Sequence, residues 1–139
     1  MKKRAVILIG IIILSINFVS CSGKKINEII DVDYNNISKI VFADGRGRNK
    51  PFTLDDKDKI KEFNDYLCSF SLRKVGNPHI VGWIHSVSLY NNDDIKVMQI
   101  TFVDPLNINN EYYRIIEGEI NVQKIDEFIK SVNSAWEVP

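Results

Sequence analysis

Hydrophobic positions along this chain change period several times, and each change marks an element. From Ile37 the run ISKIVFA is rich in β-branched and aromatic residues and leads straight into Asp44-Gly45, which predicts a strand entering a hairpin. The returning strand falls at Asn49 to Leu54, and Pro51 confines it to a sheet edge or to a short pairing because it lacks a backbone donor. Ile60, Phe63, Leu67 and Phe70 recur at intervals of three, four and three, which predicts a helix over Asp55 to Phe70. Acidic Asp55, Asp56 and Asp58 favour the positive end of its dipole, with Thr53 or Asp55 as cap. Gly76 and Pro78 then break the helical pattern, leaving room for a short strand around Leu72 to Val75.

Ile80 to Tyr90 and Ile95 to Val103 flank Asn91-Asn92-Asp93-Asp94 and predict a central hairpin. In its first arm Trp83, His85, Val87 and Leu89 share one face and Ile84, Ser86, Ser88 and Tyr90 the other. After Asp104-Pro105 and Asn109-Asn110, Tyr112 to Ile116 reads as a final strand. Asn121 then caps a helix whose apolar face runs Val122, Ile125, Phe128 or Ile129, and Val132, with Ile120 spaced to staple Ile125. The order β-β-α-β-β-β-α predicts an α+β fold over 37–139: a two-layer sandwich of about five mostly antiparallel strands with two helices on one face.

The N-terminus departs from this pattern. Met1 to Arg4 is basic, and Ala5 to Leu14 is an uncharged apolar run of ten residues. That is too short for the roughly 20 residues of a spanning helix but suits a secretory signal of 1–20. Phe18-Val19-Ser20-Cys21 resembles the lipobox of bacterial membrane lipoproteins, with small Ser20 before the cysteine and Phe18 where that family usually has Leu. The resemblance implies diacylglycerol on the Cys21 thiol, cleavage before it, and a chain anchored outside the cytoplasmic membrane. Two acyl chains suffice for stable anchoring. Acylation of Cys21 leaves Cys68 alone, so no intramolecular disulfide forms. Residues 21–36 then read as a lipidated N-terminus and tether.

Composition changes the picture at one point. The chain of 139 residues carries 18 basic and 18 acidic side chains, and removing the acid-free first twenty leaves 15 against 18. This mildly acidic balance argues against nucleic-acid binding by phosphate neutralisation. The Ile, Asn and Lys content suggests an AT-rich, Gram-positive source. The core segment also resembles small uncharacterised domains of Gram-positive lipoproteins. Ile37, Ile40 and Phe42 run into the Asp44-Gly45 turn, Thr53 and Asp56 open the helix carrying Ile60, Phe63 and Leu67, and Gly82-Trp83 precedes Ser86 and Leu89-Tyr90. These motifs are scaffold, so the resemblance supplies no catalytic residue.

Candidate chemistry is sparse. His79, His85 and Cys68 lack the close spacing of a zinc site. Asp31, Asp33 and Asn35 imitate the start of a calcium loop, but Asn36 replaces the glycine and Phe42 the bidentate Glu. No nucleophile elbow is present. Arg46, Arg48 and Lys50 form a basic hairpin tip without a Walker lysine or following helix, more simply a solvated turn than a contact for anionic headgroups or wall polymers. His85 reads as an edge-of-core histidine with a satisfied ring nitrogen, and Cys68 as a small core residue.

Trp83, Tyr90, Tyr112, Tyr113 and Trp136 are candidates for core or for a recognition surface. The resulting expectation is a non-catalytic, lipid-anchored extracytoplasmic binding module, with no cofactor or metal implied. Its ligand or partner contacts are Trp83, His85, Tyr112, Tyr113, Arg46 and Arg48, offered to an envelope protein or cell-wall polymer. The rival is an envelope enzyme built from scattered residues such as His85, Tyr113 and Asp104, which requires a polar cleft. A regulator or inhibitor of a secreted hydrolase would instead show a protruding loop such as Val75 to His79.

Overall fold

The structure is a computed structural model that describes residues 23–139. The expected signal peptide of 1–20 and the lipidation site Cys21 lie outside the described residues.

Eight strands form one sheet: β1 Lys24–Lys25, β2 Ile37–Asp44, β3 Phe52–Leu54, β4 Ser71–Val75, β5 His85–Asn91, β6 Lys96–Phe102, β7 Leu106–Ile108 and β8 Glu111–Glu117. Their spatial order is β1-β4-β8-β7-β6-β5-β2-β3, and every neighbouring pair is antiparallel. Three short helices accompany them: α1 Ile26–Ile29, α2 Lys57–Cys68 and α3 Val122–Val132, with a 3-10 turn at Tyr34–Asn36. This corrects the expected five-strand, two-helix, two-layer α+β sandwich. Beyond the five, β4 is the short strand for which the sequence left room around Leu72 to Val75, and β7 and β1, three and two residues long, are the additions it did not announce. Runs so short carry too little alternation to separate them from loop. The segment expected as a tether holds β1, α1 and the 3-10 turn, and Ile26 within it is fully buried.

The elements that do match follow local chemistry. Asp56, one residue beyond the expected caps, closes the N-terminus of α2 by accepting from the Lys59 amide. Asn121 does the same for α3 through the Lys124 amide. Pro51 immediately precedes β3, which sits at the sheet edge.

Alternation turns Ile40 and Phe42 of β2, Val87 and Leu89 of β5, and Met98 and Ile100 of β6 toward one buried face. Ile60, Phe63 and Leu67 of α2 and Ile125 and Ile129 of α3 join that core. Its centre is aromatic: Phe63 meets Phe42 edge-on at 5.0 Å, and Phe128 lies 5.2 Å from Phe63.

The antiparallel order makes β4 and β5 parallel to each other, with three strands between them. Nine residues, 76–84, connect them without a helix. The preceding crossover, from β3 to β4 through α2, runs in the opposite lateral direction over the helical face. The rule that such crossovers are right-handed assigns the 76–84 connection to the outer face. The register carries one cross-strand row beneath it: Val75, Tyr112, Asn107, Thr101, Ser86 and Ala43. Every member of this row is half-buried or buried, whereas Arg73, Arg114 and Gln99 in the next row are exposed.

Candidate functional site

Where β2 ends and β5 begins, Asp44 pairs in register with His85 on the buried face. The chain after Asp44 turns through Gly45 so that Arg46 comes back over the strand end. Arg46 Nε donates to Asp44 Oδ1 at 2.8 Å, while Nη1 and Nη2 donate to the two oxygens of Asp126 at 3.0 and 2.9 Å. Asp126 stands on the inward face of α3 and is 1% exposed. Its Oδ1 also accepts the indole N–H of Trp136 at 2.8 Å. Asn49 closes the far side, donating its amide and side-chain nitrogens to Asp44 Oδ2 and exchanging bonds with the Glu137 backbone. The C-terminal segment is thereby tied to the hairpin loop.

Burial alone would raise the Asp44 pKa, but bonds from Arg46 and Asn49 reverse this and bring it to about 2. Burial opposes ionisation of Asp126 as well, and Arg46 and Trp136 again outweigh it, holding its carboxyl below the usual range. The two carboxylates hold Arg46 firmly protonated. His85 completes the cluster at 1% exposure, its ring 6.2 Å from that of Trp136 and nearly parallel to it. Nε2 lies 3.2 Å from Asp126 Oδ1 but outside hydrogen-bond geometry, leaving both ring nitrogens without a hydrogen bond. Burial pushes the imidazole pKa down, and attraction to Asp126 recovers only part of the drop. His85 is therefore neutral near pH 7, and the expectation of a satisfied ring nitrogen is corrected.

This cluster is sealed. A histidine 1% exposed reaches no substrate, and its carboxylate partner is already saturated by Arg46 and Trp136. Among the described residues, no group of three or more His, Cys, Asp and Glu side chains is arranged to hold a metal ion. The cluster's physical work is to fix the end of β2, the start of β5 and the tail around Trp136 in one geometry.

The 76–84 connection is seated on that base. Gly45 donates its amide to the Ile84 carbonyl at 2.8 Å, extending the β2–β5 ladder by one bond. A Cβ at Gly45 would lie against the Trp83 carbonyl and 2.7 Å from its ring, so glycine is required for this close approach. Gly82, at φ +87, supplies the left-handed bend that lifts the chain before Trp83. The connection leaves Val81 97%, Trp83 42% and Ile84 37% exposed.

The expected site residues thus separate. Arg46 and His85 meet inside the cluster, and Trp83 lies just outside it. Trp83 does not share the buried face with His85, Val87 and Leu89, because β5 starts only at His85. Arg48 is exposed. Tyr113 is buried on β8, where its hydroxyl donates to Glu111 at 2.9 Å, and Tyr112 faces outward in the row beneath the connection. His85 and Tyr113 are held apart by β6 and β7, and Asp104 is exposed beyond β6, so these three do not line one cleft. Cys68 is free and half-buried, with burial raising its thiol pKa.

Sequence reasoning missed Asp44, Asn49 and Asp126 as partners of Arg46. One signal was present: Asp126 follows Ile125 and precedes Ile129 by three on the apolar stripe of α3, where a carboxylate needs a buried cation.

Concave surfaces lie elsewhere. A mostly apolar groove of about 150 Å³ runs between α2 and α3 beside Phe63, Tyr66 and Phe128. A more polar hollow of about 380 Å³ lies beside Tyr34, Lys61 and Asn64. No family model matches the chain, and no curated protein or solved structure matches it.

Proposed function

We propose that the chain is a lipid-anchored, extracytoplasmic interaction module without catalysis. Cys21 carries the anchor, and the 76–84 connection provides the contact. The observation that carries the reading is the exposure of Val81, Trp83 and Ile84 on a base locked by Arg46, Asp44 and Asp126. An apolar segment displayed from a rigid mount loses little entropy on binding. A catalytic reading has the opposite profile, since its best acid–base group, His85, is enclosed.

The N-terminal pattern supports the location: a basic start, an apolar run of ten and Cys21 after Ser20. Among the described residues no helix is long and apolar enough to cross a membrane, and the proposed attachment is through the Cys21 thiol. An envelope protein, a wall polymer and the bilayer itself are the chemistries within reach of such a module.

The test is intact mass and membrane partition in a lipoprotein-processing bacterium, comparing the native chain with Cys21→Ala. Loss of residues 1–20, gain of acyl mass and membrane retention for the native chain alone support the reading. Equal release of both chains, or persistence of both at full length, overturns it.

A further inference from the structure

Ile60, Asn64 and Leu67 fall on one buried stripe of α2, where an amide interrupts an otherwise apolar surface. Asn64 is 5% exposed, and its Oδ1 has no hydrogen-bond partner among the described residues. Tyr34 Oη, on the 3-10 turn, is likewise enclosed and without a partner. Both residues line the polar hollow of about 380 Å³, whose volume falls in the range of small-ligand sites. Buried polar atoms are nearly always bonded, so two orphans on one hollow call for a group that bonds them there.

The walls of the hollow are held by their own hydrogen bonds. Asp33 Oδ1 accepts the Asn35 amide at 3.0 Å and closes the 3-10 turn. Asn91 Oδ1 accepts the amides of Asp93 and Ile95 in the β5–β6 turn, both at 3.0 Å. Asn92 Nδ2 donates to Asn36 Oδ1 and ties the two turns together. Walls arranged in advance lose little entropy when a ligand arrives.

The lining narrows the class of ligand. Lys61 is paired with Asp65 at 2.7 Å, which leaves only Lys57 in excess, where an anion site would gather several cations. One carboxylate is too few for a hard metal cation. Ile37 and Ile60 give apolar contact, while Asn35, Asn64 and Asn92 supply amides that both donate and accept. A hydroxyl answers both orphans, donating to Oδ1 and accepting from the phenol, which burial keeps protonated. The Asn64 amide turns about a torsion with broad wells, so it brings either end to the ligand.

We infer that this hollow binds a neutral saccharide, whose hydroxyls bond Asn64 and Tyr34 and whose C–H faces rest on Ile37 and Ile60. The site goes beyond the proposed contact at 76–84, because it lies at the other end of β5, about 20 Å along the strand. It does not depend on the Cys21 anchor. An amide kept in a core stripe for a ligand trades stability for binding.

That trade makes the test direct. The full chain in detergent is titrated with tetrasaccharides of N-acetylglucosamine and of glucose, with inorganic phosphate as the anionic comparison. Binding is read by calorimetry and by the side-chain amide resonances of Asn35, Asn64 and Asn92. Saturable binding of either glycan, moving those amides while 80–84 stays unchanged, is the expected result. Asn64→Leu is expected to weaken it about tenfold or more, as loss of one or two hydrogen bonds implies. Its urea midpoint should hold or rise, since leucine continues the stripe of Ile60 and Leu67. Tyr34→Phe keeps the ring and is expected to weaken binding with the fold intact.

Failure of both glycans to bind overturns the inference, as does binding that survives both substitutions. Movement of the same amides with phosphate but with neither glycan assigns the hollow to an anion and likewise overturns it. Glycan binding by a chain that carries no acyl group supports the inference while the anchor reading falls.

Discussion

Arg46 and Asp126, eighty residues apart in sequence, form a two-pronged ion pair that closes the end of the sheet, with N–O distances of 3.0 and 2.9 Å. Both oxygens of Asp126 and three donors of Arg46 are used once Asp44 and Trp136 are included. Removing one member strands a buried charge, so Arg46→Ala is expected to cost about 3–5 kcal/mol of unfolding free energy. Arg46→Lys cannot restore the fork and is expected to recover only part of it. Urea titration measures both, and the Arg46→Ala/Asp126→Asn pair should be less damaging than the sum of its singles. Additive losses would show that the two side chains are not coupled.

His85 makes stability depend on pH. Its folded pKa is depressed, so the unfolded chain binds the proton first, below about pH 6.5. Its contribution is present above that pH and is lost as pH falls through it, with a slope of at most about 1.4 kcal/mol per unit. Arg46, Asp44 and Asp126 face the ring, and both carboxylates are also depressed, Asp44 to about 2. Their stabilisation is present above about pH 4 and is lost below it, in the same direction but in a separate window. Thermal melts of the native chain and His85→Gln from pH 7.5 to 5 should differ in slope. Parallel curves would mean that the ring takes up protons freely in the folded state.

The close approach of Gly45 to Trp83 offers a way to unseat the connection without touching the ion cluster. Gly45→Ala is expected to redden Trp83 emission and speed amide exchange at Ile84, while the Arg46 and Asp126 contacts persist. Unchanged emission and exchange would show that the connection holds by other means.

Helix capping gives a control with a known scale. Asn121→Ala removes the acceptor for the Lys124 amide and is expected to cost about 1 kcal/mol, as is Asp56→Ala at α2. Val81→Asp, at a fully open position, should stay within about 0.5 kcal/mol of the native chain. Denaturation midpoints check all three, and a large loss for Val81→Asp would place that side chain in the fold.

Legibility in the sequence followed the strength of local signals. Ile60, Phe63 and Leu67 carried enough period to reveal α2, and Asn121 marked the start of α3 at the correct residue. β1 and β7 exist because neighbouring strands offer ladder partners, as Leu106 and Ile108 do with Tyr113 and Glu111, and no two- or three-residue run announces that. Trp83 was assigned to a strand because its spacing from His85 is even, yet the chain bends at Ile84 and β5 begins only at His85. The ion cluster was hidden for another reason: Arg46 and Asp126 sit on separate elements, and single-sequence periodicity says which face is buried without saying which charge lies opposite.

Amide hydrogen exchange of the mature chain, compared between detergent and anionic vesicles, tests most directly whether the 76–84 connection makes the contact. The account expects added protection over 80–84, with α2 and α3 unchanged. Protection centred on α2 and α3, with 80–84 exchanging as freely as before, would contradict it.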